Sequence, residues 1–159
     1  MSKIKTNAMR ILDTHNIEYN IITYDKKDGK VDGVSVAKKI GKDPEKVFKT
    51  LVAQGSSGEL YVFIIPVAEE LDLKKAAKAT GEKKIEMLPV KDITKYTGYI
   101  RGGCSPIGMK KGYPTFIDES SLSLDSIIVS GGKIGVQIEM NIESLQSVTN
   151  AISGKLVKE

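Results

Sequence analysis

A lysine inside a predicted strand is the first residue of this sequence that could do chemistry. The segment 47–53 (VFKTLVA) has the apolar, β-branched composition of a strand, and Lys49 is its third residue. Both faces of that strand are at least half apolar, so Lys49 is expected to be half buried on either face. Its stem can pack while the ammonium reaches water, or the ammonium can lie over a pocket and bind a carbonyl oxygen or a phosphate. The sequence leaves both interpretations open.

The second candidate is the segment 98–108 (GYIRGGCSPIG), the glycine-richest part of the chain. Glycines let backbone amides approach a ligand closely, and successive amides can form an anion-binding nest. Aimed at a carbonyl, amides such as those of Gly102 and Gly103 form an oxyanion hole, in which one donor lowers the activation barrier by roughly 3 kcal/mol. The alternative is a tight connection that Pro106 stiffens.

The third candidate is the segment 129–133 (VSGGK), in which Ser130 stands at the end of a predicted strand. A serine hydroxyl at that point can face a neighbouring pocket. The same residues are also typical of a hairpin turn, because paired glycines adopt turn conformations that other residues avoid. The spacing alone does not choose between the two.

Cysteine and histidine each occur once, as Cys104 and His15, and this excludes several kinds of site. One cysteine cannot form an internal disulfide, and these two side chains cannot supply the ligands of a zinc site. A nucleophile–histidine–acid triad would need His15 as its base, whereas His15 stands near the end of a predicted helix. Cys104 is more typical of a small buried residue than of a nucleophile. We therefore expect no metal, no cofactor, and chemistry by lysine, hydroxyl groups, acids or backbone amides.

The charge balance permits contact with nucleic acid without requiring it. Lysine and arginine number 24 against 20 acidic residues, which gives a net charge of +4 and a pI near 9.0. Only Arg10 and Arg101 are arginines, and this scarcity argues against bidentate reading of bases. Lysines suit a non-specific grip on phosphates.

Composition and length predict one domain over 1–159. Hydrophobic residues make up 40% and charged residues 28% of the 159 positions, which is close to the average for folded domains. No apolar run approaches the roughly 20 residues of a membrane span, and the first residues lack the pattern of a secretory leader. We therefore expect a cytoplasmic protein without membrane contact.

Hydrophobic periodicity and turn residues predict an α+β fold with a mixed, curled sheet. The predicted helices are 4–15 (capped by Ser2), 35–41 (capped by Ser35), a short one after Pro44, 73–80 (capped by Asp72), 89–96 and 142–152. The predicted strands are 17–24, 47–53, 59–67, 84–87, 113–118, 126–130 and 134–140. We expect Gly131 and Gly132 to join the last pair of strands.

Four stretches in this order resemble the YbaK/EbsC family of aminoacyl-tRNA deacylases, relatives of the editing domain of bacterial prolyl-tRNA synthetases. They are 47–51 (VFKTL), 71–75 (LDLKK), 97–108 (TGYIRGGCSPIG) and 129–133 (VSGGK). The resemblance covers nearly the whole chain, and the combination is specific although each motif alone is not. It implies a mixed, barrel-like sheet flanked by helices.

The resemblance also implies roles for individual residues. The resemblance matches Lys49 and Gly102 to catalytic positions, and we expect the neighbouring amide of Gly103 to join Gly102 in holding the oxyanion. It matches Tyr24, Thr50 and Ser130 to substrate-binding positions, and we expect Gly131 beside Ser130 to bind substrate as well. Two positions depart from the family pattern: Asp32 stands where an aromatic residue is expected, and Gln137 stands where some relatives have an acid.

The implied activity is hydrolysis of Cys wrongly attached to tRNA(Pro), in trans to prolyl-tRNA synthetase. In the family mechanism the cysteinyl thiol attacks its own ester, and proximity favours such intramolecular attack. A pocket separates side chains that differ by one methylene by only about 1–3 kcal/mol, whereas a requirement for a thiol spares prolyl esters. Deacylation of Ala-tRNA(Pro), and non-catalytic binding of a tRNA acceptor end or a synthetase, are the alternatives.

Overall fold

Helices and strands of a mixed α+β fold make up the computed structural model of this protein, which describes residues 5–30 and 32–159. The strands in these ranges are β1 (Tyr19–Thr23), β2 (Phe48–Gly55), β3 (Leu60–Pro66), β4 (Ile85–Met87), β5 (Thr115–Asp118), β6 (Ser126–Lys133), β7 (Val136–Asn141) and β8 (Ile152–Gly154). The α-helices are α1 (Asn7–Thr14), α2 (Gly33–Lys39), α3 (Leu73–Thr80), α4 (Ile93–Thr97) and α5 (Ile142–Thr149). Two 3₁₀ helices cover Val90–Asp92 and Glu119–Ser123.

The strands form two sheets. One is antiparallel, with three strands in the order β1-β7-β6, and the other is mixed, with five in the order β4-β2-β3-β5-β8. They meet where Val47, just before β2, bridges Ile128 of β6 in parallel, and the N–H of Ile128 donates to the carbonyl of Lys46 (2.9 Å). The mixed α+β prediction is confirmed, whereas the sheets do not close into a barrel.

The apolar core lies between the two sheets and under the helices. Every residue of β3 is buried, which is typical of a central strand covered on both faces. Met9 and Leu12 of α1 pack with the inner residues of the three-stranded sheet, and Leu145 of α5 joins them. A second cluster lies on the far face of β3, where Phe63 packs with Ala76 of α3. Between them these clusters fix both sheets, and thereby the strand that carries Lys49.

Two helix starts differ from the prediction because another side chain provides the cap. Thr6 caps α1 by accepting a hydrogen bond from the N–H of Met9 (3.2 Å), and the predicted cap Ser2 lies outside the described residues. Asp32, rather than Ser35, caps α2, since its carboxylate accepts from the N–H of Ser35 (3.1 Å). The earlier cap brings the start of α2 to Gly33.

Three further boundaries were predicted wrongly. The residues after Pro44 form a turn rather than a helix, and the chain then enters the bridge at Val47. The last helix ends at Thr149 because Asn150 adopts a left-handed conformation (φ 57°), which frees the chain to form β8 beside β5. Strand β6 continues through both glycines to Lys133, with a register shift between Ser130 and Lys133. Within the described residues, no helix has the length and apolar character needed to cross a bilayer.

Candidate active site

A cleft of about 610 Å³ opens beside the first half of β2. Four of the residues predicted from the sequence line it, namely Lys49, Thr50, Gly102 and Ser130. The other three predicted residues, Tyr24, Gly103 and Gly131, are not among its lining residues. The cleft lies between α2 and the loop before it on one side and the loop after α4 on the other.

Lys49 forms part of the floor of the cleft. It pairs with Ile65 of β3, and its ammonium makes no hydrogen bond or ion pair with the described residues. Burial lowers the pKa of Lys49, and the negative charges of Glu70 and Glu69 partly oppose that shift. Lys49 also borders a second cavity of about 830 Å³ that contains Glu70. An unpaired ammonium with restricted access to water is therefore available to a ligand oxygen.

Thr50 presents unpaired polar groups to the same cleft. Its Oγ1 is buried and has no hydrogen-bond partner among the described residues. Along β2 the even-numbered residues point their backbone groups away from β3, as the bonds from Ile128 to Lys46 and from Leu88 to Val52 show. Thr50 lies between these two contacts, where neither β6 nor β4 pairs with it. Its N–H and C=O therefore face the cleft as an open stretch of sheet edge.

The two glycines of the opposite wall have different roles. Gly102 is exposed, lines the cleft and has a left-handed backbone (φ 85°), which favours glycine. The N–H of Gly103 instead donates to the carbonyl of Ile100 (3.0 Å), so it is engaged within the loop. A Cβ on Gly103 would lie 2.9 Å from the backbone nitrogen of Ile134. Gly103 therefore packs this wall against the turn after β6, and its predicted role as an oxyanion donor is not supported by its position.

Ser130 and Gln137 face each other across β6 and β7 and both line the cleft. The Ser130 Oγ accepts a hydrogen bond from the N–H of Gly132 (3.2 Å). Gln137 is only 6% exposed, and its side-chain amide has no hydrogen bond among the described residues. Gly131, predicted to bind substrate, is buried instead, and its carbonyl accepts from the Thr6 hydroxyl (2.5 Å). The polar atoms of Gln137 are not among the fully buried, unpartnered side-chain atoms of the described residues, so its amide reaches the cleft and is available to a ligand.

Tyr24, also predicted to bind substrate, lies behind the cleft wall rather than on it. Its hydroxyl is buried and has no hydrogen-bond partner among the described residues. Lys39 of α2 lies over its ring, 5.8 Å from the centroid. The same ammonium donates to the carbonyls of Asp25 (2.6 Å) and Lys30 (2.8 Å) and to the carboxylate of Asp28 (2.6 Å). Tyr24 and Lys39 thus hold the loop that ends at the cleft.

Cys104 and His15, which the sequence did not favour as catalysts, both lie within the described residues. Cys104 lines the cleft but is buried, and burial raises the pKa of its thiol to about 11. At neutral pH it is therefore almost entirely protonated and a weak nucleophile. His15 ends α1, where its Nδ1 lies 2.8 Å from the carbonyl of Ile11. No group of three or more His, Cys, Asp or Glu residues in the described ranges is placed to hold a metal ion.

Sequence reasoning missed one charged residue of the cleft and misread another. Arg101 lines the cleft and is exposed, yet a lone arginine in a loop gives no periodic signal. Asp32, noted only as a departure from the family pattern, lies at the rim. Its carboxylate accepts from both the N–H and the hydroxyl of Ser35, and these bonds lower the pKa of Asp32. Its three-residue spacing from Ser35 is the signal that could have identified it as a cap.

A family model described as an aminoacyl-tRNA editing domain matches residues 31–148. This chain belongs to the aminoacyl-tRNA editing domain family. The matched residues include β2, α2 and the loop after α4, and the resemblance stated from the sequence is confirmed. A protein of Enterococcus faecalis, whose name proposes a Cys-tRNA(Pro)/Cys-tRNA(Cys) deacylase, EbsC, is 48% identical over 146 residues. The alignment covers 92% of this chain and 89% of that protein.

Solved structures share the fold of this editing domain. One, described as a proposed trans-editing enzyme for prolyl-tRNA synthetase, superposes with a TM-score of 0.83 at 22% identity and covers 99% of this chain and 100% of its own. Another, of a hypothetical protein, has a TM-score of 0.87 at 18% identity, with coverage of 96% and 100%. At these identities the structures establish the architecture alone.

Proposed function

We propose that this protein is a trans-editing enzyme that hydrolyses Cys-tRNA(Pro), and that the whole chain acts as one editing unit in the cytoplasm. The main support is the cleft in which Lys49, Thr50, Gly102 and Ser130 meet. The Lys49 ammonium and the Thr50 hydroxyl have no partner among the described residues and are free to bind an ester and a ribose. The name of the Enterococcus faecalis relative supports the same substrate class. Prolyl-tRNA synthetase, which would supply the mischarged tRNA, is the proposed partner.

The cysteinyl group itself supplies the nucleophile in this proposal. Its sulfur bonds to the ester carbonyl carbon, the bond from that carbon to the ribose oxygen breaks, and the thiol proton ends on that ribose oxygen. The four-membered thiolactone that results then adds water and yields free cysteine. Holding thiol and carbonyl in one cleft favours this step by proximity. The raised pKa of Cys104 argues against attack by the protein's own thiol.

The protein's residues bind and polarise the ester. The N–H of Gly102 donates to the developing oxyanion, a contact that lowers the barrier by roughly 3 kcal/mol in comparable sites. The ammonium of Lys49 holds the aminoacyl end or the terminal phosphate. The Thr50 hydroxyl and the Gln137 amide bind the neutral polar atoms of the substrate, while Ser130 and Tyr24 shape the surrounding wall.

Deacylation of Cys-, Ser-, Ala- and Pro-tRNA(Pro) under identical conditions tests the proposal. We expect the Cys ester to be cleaved fastest, and the Ser ester, which matches it in size but carries a hydroxyl, to be largely spared. Faster cleavage of the Ala ester would contradict self-attack by sulfur and indicate alanyl editing. Binding of all four without release of amino acid would indicate a non-catalytic module.

A further inference from the structure

The two sides of the cleft differ in charge. The loop 25–33 (DKKDGKVDG) carries three lysines and three aspartates, so its charges cancel. The segment 93–117 on the other side, called here the basic segment, contains Lys95, Arg101, Lys110 and Lys111 and no aspartate or glutamate. None of these four cations takes part in an ion pair of the described residues. With the two lysines of α2 included, residues 25–39 carry a net charge of +2 against +4 for the basic segment, so the positive charge is greater on the side of the basic segment.

The cations of the basic segment are held close together on its outer face. All four are exposed. The ammonium of Lys110 donates to the carbonyl of Lys95 at the end of α4 (3.2 Å), and the N–H of Lys110 donates to the carbonyl of Thr97 (3.1 Å). Lys111 follows directly. These bonds hold the backbone of Lys110 and its ammonium against α4, and none of the described carboxylates pairs with the cations of the basic segment.

This face continues into the cleft. Arg101 lines the cleft and follows α4 after three residues, the last of which, Ile100, is 52% exposed. The segment is stiff beneath its surface, because the hydroxyl of Tyr113 donates to the carbonyl of Tyr96 (2.7 Å). A polyanion that leaves the cleft past Arg101 on this side therefore meets the exposed cations of the basic segment.

We propose that the outer face of the basic segment binds the phosphate backbone of the tRNA acceptor stem while the aminoacylated end occupies the cleft. This rests on the proposed function, and it adds the direction in which the tRNA leaves the site. Lysines at one side suit phosphate contact without reading of bases. The balanced loop 25–33 attracts a polyanion far less, so the stem lies over the basic segment.

A charge-reversal experiment tests this surface against an equal change elsewhere. The test variant is Lys95→Glu/Lys110→Glu, and the control is Lys78→Glu/Lys83→Glu, in which two exposed lysines outside any ion pair of the described residues receive the same change of net charge. For an uncharged acceptor-stem hairpin of tRNA(Pro), we expect the test variant to raise Kd about tenfold or more and to reduce the slope of log K against log salt by about 2. The control should move both quantities far less.

The reaction provides a second readout. With Cys-tRNA(Pro) the test variant should lower kcat/KM mainly through KM, whereas cleavage of cysteinyl-adenosine, which has no phosphate, should match the wild type. Equal losses in the test and control variants would overturn the proposal, and so would a loss on cysteinyl-adenosine. The hairpin titration measures tRNA binding by the basic segment even if the protein cleaves neither ester. A failure of the proposed function can therefore be told apart from a failure of the proposed binding surface. Lys95→Gln/Lys110→Gln, with a thermal melt, separates loss of charge from loss of folding.

Discussion

The two walls of the cleft are held in opposite ways. The wall formed by residues 98–108, the glycine wall, is fixed from inside: the buried hydroxyl of Tyr99 donates to the carbonyl of Ile107 (2.6 Å), and Gly103 packs against the backbone of Ile134. The opposite loop, residues 25–30, is fixed from outside by the ammonium of Lys39, which holds the carbonyls of Asp25 and Lys30.

This difference separates two tasks of one site. Buried hydrogen bonding and close packing hold the residues around Gly102 in place, as the oxyanion contact proposed for its N–H would require. A loop held by one charged side chain has few buried contacts, and segments of this kind open at low free energy. The glycine wall is thus suited to the chemical step, and the loop 25–30 to admission and release of the aminoacyl end.

The largest expected loss of activity comes from changing Lys49, on the floor of the cleft. Lys49→Ala removes the unpaired ammonium and should lower kcat/KM for Cys-tRNA(Pro) by about 100-fold or more. The fold should persist, because Lys49 makes no hydrogen bond or ion pair with the described residues. Single-turnover deacylation measures the loss, and circular dichroism checks the fold. Wild-type activity in this variant would remove Lys49 from the site.

Moving the glycine wall should come next in size. A methyl group at Gly103 meets backbone atoms of Lys133 and Ile134 at 2.9–3.1 Å, and backbone cannot yield as a flexible side chain can. Gly103→Ala should therefore lower the free energy of unfolding by about 1–3 kcal/mol and lower kcat by about tenfold, because Gly102 shifts with it. The matched control is Gly112→Ala, where a Cβ has no atom within 4 Å. Similar kcat values in the two variants would mean that the wall tolerates displacement.

Loosening the loop 25–30 should change substrate binding more than the chemical step. Lys39→Gln removes the charge that holds the loop, so KM should rise roughly fivefold, equivalent to about 1 kcal/mol, with kcat nearly unchanged. Amide hydrogen exchange of residues 25–30 should become faster. Lys38→Gln, an exposed neighbour on α2 without a side-chain hydrogen bond among the described residues, is the control. A fall in kcat with unchanged KM would place this loop in the chemical step instead.

The smallest expected effect concerns stability and pH. The pKa of Lys49 is lowered by burial in the folded protein, so its charged form opposes folding at neutral pH. That cost is present below the folded pKa and disappears as pH rises above the unfolded value. Lys49→Met should therefore raise Tm slightly at pH 7, and the difference should shrink towards pH 10.5. A Tm difference that grows with pH would mean that burial does not lower the pKa of Lys49.

Local pattern predicted the elements that carry the site better than the site itself. Apolar, β-branched composition identified the strand of Lys49, and the glycine motif identified the wall opposite it. Whether the N–H of Gly102 or that of Gly103 is available to a ligand depends on the orientation of each peptide group. The residue types at these positions do not determine that orientation. The cap of α2 was assigned to Ser35 instead of Asp32 because both residue types are suitable caps and they stand three positions apart.

The remaining errors come from contacts distant in sequence. Three-residue β8 forms only because β5 offers it an edge, and Asn150 ends α5 through its backbone conformation. Lys39 contacts residues 9 to 14 positions away, so its role in holding the loop is invisible to any window of local pattern. Arg101 is placed in a similar way, because the neighbouring Gly103 packs against Ile134, a residue distant in sequence.

The gap in the edge of β2 at Thr50 has a mechanical consequence. Among the described residues, strand pairing joins the two sheets around Val47, and the backbone groups of Thr50 lie unpaired between that bridge and the bond from Leu88 to Val52. A ligand in the cleft that hydrogen-bonds to Thr50 and contacts Ser130 of β6 would add a link between the two sheets. We therefore expect ligand binding to stiffen the junction of the sheets.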